Sequence, residues 1–142
     1  MTTVAWDGKS LAADTQSTTG TISGRAVKIA RNANGFLVAG SGSLAVVRHW
    51  INWVLAGLPA EGQPEVIDES TVLIIDPRGR ARLFTDIPVS QPLPRRKWAI
   101  GSGSDVALGA MAMGADARTA VKVASQFDVY TGGRVIVLRP GK

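Results

Sequence analysis

The chain has 142 residues, 45% of them apolar and 19% charged, a balance too apolar for disorder and long enough for one domain, residues 1–142, with a buried core. It has no Cys and a single His, His49, which excludes disulfides, thiol nucleophiles, thiolate zinc sites and imidazole clusters. The net charge of +5 would attract polyanions, but Arg78, Arg80, Arg82, Arg95, Arg96 and Lys97 flank a turn and a proline-rich connection without interleaved aromatics to stack bases, which argues against nucleic acid as the partner.

The opening Met1-Thr2-Thr3-Val4-Ala5-Trp6-Asp7 carries neither the basic region nor the long apolar stretch of a secretory signal. No later run approaches the roughly 18 apolar residues of a membrane span, so a cytoplasmic protein without membrane contact is expected. Residues 2–6 read as a strand, Asp7-Gly8 as a two-residue hairpin turn and residues 10–14 as the returning strand. Residues 15–24, rich in Thr, Ser and Gly, read as a loop. Strands over 26–31 and 36–40 then flank the turn Asn32-Ala33-Asn34-Gly35.

Leu44, Val47, Trp50, Ile51, Val54 and Leu55 recur at helical spacing, predicting a helix over 43–58 that stops at Gly57 and Pro59. Trp50 belongs to that apolar stripe, which favours a core role for the Trp50–Trp53 pair over an interface anchor. An acidic loop over 60–70 leads to strands 71–76 and 81–84 around a turn with Pro77. Residues 88–94 read as extended and 97–100 as a strand. Helices follow over 104–114 and 116–126, their Ala and Met residues suited to close packing, and a last strand covers 134–138. This order predicts antiparallel sheets with helices grouped outside them.

Gly40-Ser41-Gly42-Ser43 and Gly101-Ser102-Gly103-Ser104 each join a strand to a helix, and the first, extended to Ala45, fits G-x-G-x-x-A. A dinucleotide site would need that motif to open a parallel βαβ unit, which the surrounding hairpins do not provide, so no cofactor is expected.

Chemistry must therefore come from hydroxyls and amines. Removal of Met1 would leave Thr2 with a free α-amine beside its hydroxyl, a base that titrates near pH 8 and needs no histidine. Thr2 and Thr3 are equally suited to be plain β-branched strand residues. The companions weigh toward chemistry: Thr2-Thr3-Val4-Ala5, Leu11-Ala12-Ala13-Asp14-Thr15, Val27-Lys28-Ile29, the two Gly-Ser-Gly-Ser turns, and Asp128-Val129-Tyr130-Thr131-Gly132-Gly133 occur in that order. Together they resemble the 20S proteasome β-subunit family and its bacterial relative HslV, the N-terminal threonine hydrolases.

The resemblance implies a four-layer αββα sandwich of two antiparallel sheets flanked by helices, and peptide-bond hydrolysis without metal or organic cofactor. It implies Thr2 as nucleophile, Asp14 and Lys28 as its charged neighbours, Gly42 as oxyanion donor, and Ser102, Asp128 and Thr131 around the N-terminal amine. It places Ser17, Thr18, Ala26, Gly40 and Leu44 about the substrate pocket. It further implies polypeptide substrates, a homo-oligomer that can form rings, and an ATP-dependent unfoldase as a possible partner. Residues 60–70 stand where the family has a second long helix that makes ring contacts. Each position also has a plain structural reading: an ion pair for Asp14 and Lys28, a tight bend for Gly42, a helix cap for Ser102, and a helix-closing turn for Asp128 and Thr131. The alternative to a peptidase is a non-catalytic ring or assembly subunit.

Overall fold

In the computed structural model, residues 2–87 and 89–141 are described. Met1, whose removal the proposed chemistry requires, and Pro88, which heads the extended segment, lie outside them. The strands are β1 (Thr3–Trp6), β2 (Leu11–Ala13), β3 (Gln16–Thr19), β4 (Ile22–Arg25), β5 (Ile29–Arg31), β6 (Leu37–Ser41), β7 (Thr71–Ile75), β8 (Ala81–Phe84), β9 (Gln91–Pro92), β10 (Trp98–Gly101) and β11 (Ile136–Leu138). The helices are α1 (Leu44–Leu55), α2 (Ser104–Ala112) and α3 (Ala117–Phe127).

The strands form three antiparallel sheets, ordered β10-β1-β2-β11, β3-β4 and β5-β6-β7-β8-β9. Alternation along the strands sorts the apolar side chains into separate cores. Val4, Trp6, Leu11 and Ala13 meet Leu37, Ala39, Leu73 and Ile75 between the two larger sheets. Ala5, Ala12 and Ala99 face Ala107 and Met111 of α2 and Ala117, Ala120, Val121 and Ala124 of α3. Val38, Val72 and Ile74 face Val46, Val47, Trp50, Ile51 and Val54 of α1. Alanine on both surfaces of the second core lets the helices approach the sheet closely.

The expected four-layer αββα sandwich is corrected. Eleven strands in three sheets dominate the described residues, and the three helices are short, at 12, 9 and 11 residues. Where the resemblance would put a second long helix after α1, residues 60–70 hold Gly62, Pro64 and the positive-φ residues Asp68 and Glu69, which do not continue a helix. Residues 15–24 are also no loop: most of them form the β3–β4 ribbon, in which the β-branched Thr18, Thr19 and Ile22 favour extended backbone and Gly20 takes φ +60° at the bend. The first turn is longer than two residues. Trp6 pairs with Leu11, and Asp7 accepts hydrogen bonds from the Lys9 and Ser10 N–H groups and the Ser10 hydroxyl.

The helix starts follow their caps. Ser43 and Asp116 accept from the N–H groups of Val46 and Thr119. Trp50 is buried, with Phe84 4.8 Å and Trp53 5.6 Å away by ring centroid, as its place in the stripe predicts. Met111 is buried but Met113 is exposed, so only part of the Ala/Met run packs. In the basic stretch Arg80 pairs with Asp76, Arg82 donates to Ser90 and Lys97 donates to the Met111 carbonyl. No described helix is long and apolar enough to cross a membrane.

Candidate active site

Thr2 precedes β1 on the side of Val4 and Trp6, whereas Thr3 shares the helix-facing side with Ala5. Asp14 follows β2, whose pairing with β1 sets its carboxylate beside both threonines. Its Oδ1 accepts from the Thr2 hydroxyl, from the Thr3 N–H at 3.0 Å and from Lys28 Nζ at 3.0 Å. Its Oδ2 accepts from the Gly132 N–H at 3.0 Å. Lys28, just ahead of β5, also donates to Thr2 Oγ1 at 2.6 Å. Thr2, Asp14 and Lys28 are all buried. Burial pulls the Lys28 pKa below its ordinary 10.5, against the opposing pull of the Asp14 carboxylate and, more weakly, Asp128.

Gly42 joins β6 to α1 at φ +102°, where a Cβ would come within 2.6 Å of Ser70 Cα, so glycine is required by both conformation and space. The Ser70 hydroxyl accepts from the Ser43 N–H at 2.9 Å and holds this turn. Thr2, Lys28 and Gly42 open onto a cavity of about 220 Å³ whose walls include Ser17, Thr18, Ala26, Gly40 and Leu44. The structure thus brings these five residues together around one cavity with Thr2. Beyond Gly40 the wall is Val47, whose Cγ2 would lie 2.8 Å from a Cβ on residue 40.

Ser102, Asp128 and Thr131 gather around the threonine pair and are not among the residues lining that cavity. The Ser102 hydroxyl lies 2.5 Å from Asp128 Oδ2 and 3.3 Å from the Thr2 carbonyl. Thr131 donates to Asp128 Oδ2 at 2.6 Å. Burial raises the Asp128 pKa, but the Ser102 and Thr131 hydroxyls and the Tyr130 N–H outweigh it and hold the carboxyl below its ordinary 3.8. The Gly101-Ser102-Gly103 turn approaches the threonines. A Cβ on residue 101 would run into the Thr2 backbone, and one on residue 103 would run into Thr3 Oγ1.

The arrangement gives a hydroxyl that accepts from an ammonium and donates to a carboxylate, beside a glycine turn and an open cavity. Among the described residues no cluster of three or more His, Asp or Glu could hold a metal ion. Sequence reasoning missed Thr3, Gln16, Val47 and Ser70. Thr3 and Val47 sit in regular strand and helix patterns that read as core, Gln16 fell in the supposed loop, and Ser70 is 28 residues from the turn it braces. Gln16 lines the cavity and its Nε2 donates to the Val129 carbonyl at 2.9 Å, tying the ribbon to the Asp128 turn.

No family model and no curated protein matches this chain. Solved structures do. Thiobacillus denitrificans BPH is 25% identical with a TM-score of 0.68, the match covering 98% of each chain. A structure of Thiobacillus denitrificans BPH in complex with epoxomicin matches at 23% identity and a TM-score of 0.67 over 99% of each chain. The fold is thus shared over nearly the whole length.

Proposed function

We propose that the protein is an N-terminal threonine peptidase acting through Thr2 once Met1 is removed. The observation that carries this reading is the Thr2 hydroxyl held between Lys28 Nζ, 2.6 Å away, and Asp14 at the edge of the cavity. In support, a structural neighbour binds epoxomicin, a proteasome inhibitor. The freed α-amine takes the hydroxyl proton as Oγ1 attacks the substrate carbonyl, and Lys28 stabilises the negative charge that builds on Oγ1. The Gly42 N–H meets the new oxyanion. The proton then passes to the leaving amine, and water hydrolyses the Thr2 ester to release the acid and restore the hydroxyl. Polypeptide substrates, self-assembly into rings and service to an ATP-dependent unfoldase belong to the same proposal.

A second reading, a non-catalytic ring or assembly subunit, draws on Thr2 being only 2% exposed. Intact mass and fluorogenic peptide hydrolysis separate the two. The peptidase reading expects protein lacking Met1 that cleaves peptides, with Thr2→Ala inactive at unchanged stability. Full hydrolysis by Thr2→Ala, or Met1 retained throughout in protein from its native host, overturns it.

A further inference from the structure

Thr3 is fully buried on the face of β1 opposite the cavity, where a strand needs no hydroxyl. Its Oγ1 nevertheless lies 2.6 Å from Thr131 Oγ1. The single Thr131 proton is committed to Asp128 Oδ2, so Thr3 is the donor and Thr131 the acceptor. This makes a directed chain, Thr3 to Thr131 to Asp128, in which each link polarises the next. Asp128 Oδ2 also accepts the Ser102 proton at 2.5 Å, which leaves the Ser102 hydroxyl oxygen 3.3 Å from the Thr2 carbonyl. On its other side Thr3 is tied to the second carboxylate, its N–H donating to Asp14 Oδ1 at 3.0 Å. Gly103 keeps the space for this hydroxyl pair, since a Cβ there would also come within 3.1 Å of Thr131 Oγ1.

We propose that Thr3 is a positioning residue for the Thr2 nucleophile: through Thr131 its hydroxyl fixes the Asp128 carboxylate against the Thr2 backbone. The inference rests on the reading of Thr2 as an N-terminal nucleophile. Thr3 does not line the cavity, so its loss acts on the rate and leaves substrate binding alone. A carboxylate held less firmly favours the ammonium form of the Thr2 amine less, which lowers the amine's pKa.

The test uses protein released from a cleavable fusion with Thr2 at its N-terminus, as wild type, Thr2→Ala, Thr3→Val and Thr3→Ser. Valine keeps the shape and strand preference of threonine and removes only the hydroxyl, while serine restores it. The Thr2 α-amine is titrated by NMR and peptide hydrolysis is followed in parallel. In Thr3→Val the amine pKa is expected to fall by about half a unit or more. Its kcat falls about tenfold at unchanged KM, and Thr3→Ser returns both values to wild type. An amine in Thr3→Val that titrates as in wild type, or a loss that serine does not rescue, overturns the proposal. The titration reads the network even where no peptide is cleaved, so failure of the peptidase reading, seen in the wild-type and Thr2→Ala arms, stays separate. Should Thr3→Val fail to fold, Thr131→Val removes the Thr3 acceptor together with the donor to Asp128, and an unchanged amine pKa there overturns the proposal.

Discussion

Lys28 carries its side chain 6% exposed, 3.0 Å from an Asp14 carboxylate that is 1% exposed. Burial of the ammonium lowers its pKa from 10.5, and the neighbouring carboxylate only partly opposes this. A lysine with a depressed folded pKa binds fewer protons than the unfolded chain between the two values. Its burial penalty is therefore full below the folded pKa and relaxes as the pH rises from there toward 10.5. Catalysis runs the other way, because deprotonation removes the cation beside Thr2 Oγ1, so the alkaline limb of kcat/KM should fall before pH 10.5. Lys28→Met should cost about 3 kcal/mol by stranding Asp14 and should cut kcat about 100-fold or more. The double variant with Asp14→Asn should recover much of the stability but none of the rate, as denaturant midpoints and initial rates would show. The residue types at 2, 14 and 28 were legible from the ordered motifs. Their role was not, since an ion pair and a catalytic pair look alike in sequence.

At the scale of elements, turns decide where groups point. The β6–α1 junction needs Gly42 at φ +102° against Ser70, so Gly42→Ala should cost about 2 kcal/mol and lower kcat with little change in KM. Thermal melts and steady-state kinetics on one preparation check both effects. Asp7 plays the matching structural part at the β1–β2 turn, where its Oδ2 also accepts from the Ala117 N–H at the start of α3. Burial raises its pKa, but the hydrogen bonds from Ser10, Ala117 and Lys9 outweigh it and hold the carboxyl below 3.8. A depressed carboxyl contributes stability above pH 3.8 that is lost as the pH falls through the folded value. Asp7→Asn should therefore lose about 1 kcal/mol at pH 7 and flatten the acid limb of the stability profile, measured by urea denaturation across pH. Ser43 and Asp116 cap α1 and α3 through N–H groups three residues away, whereas Ser102, which also reads as a cap, does not act as one: the α2 cap is Gly103, and the Ser102 hydroxyl turns to Asp128 instead. The β3–β4 ribbon was not legible in the sequence, because Ser, Thr and Gly serve loops and exposed strands alike.

Across the whole molecule the cores share their strands. Leu37 and Ala39 of β6 and Leu73 and Ile75 of β7 enter the core between the sheets, while Val38, Val72 and Ile74 enter the one under α1. Neither core can come apart without dissolving the strands of the other, so unfolding should be a single transition. Trp6, buried between the sheets, and Trp50, buried under α1, report the two regions. Tryptophan fluorescence and far-UV circular dichroism should give coincident denaturant curves, and resolved midpoints would contradict this coupling. Leu73→Ala, at a fully buried position, should shift that common midpoint by about 3 kcal/mol without splitting it.

From the sequence alone came the periodicities, the breakers, the absence of thiol and imidazole chemistry, and the order of motifs that singled out Thr2, Asp14, Lys28 and Gly42. These are properties of neighbours in the chain, where spacing assigns a face and a cap. Tertiary structure alone decided how the strands divide into three sheets, which overturned the expected sandwich. It also decided that Gly132 would reach Asp14 across 118 residues and Ser102 would reach Thr2 across 100. Thr3 shows the physical reason most directly. Alternation in a strand tells that its side chain points away from that of Thr2, but only the packing of α2, α3 and the Asp128 turn says what waits on that side.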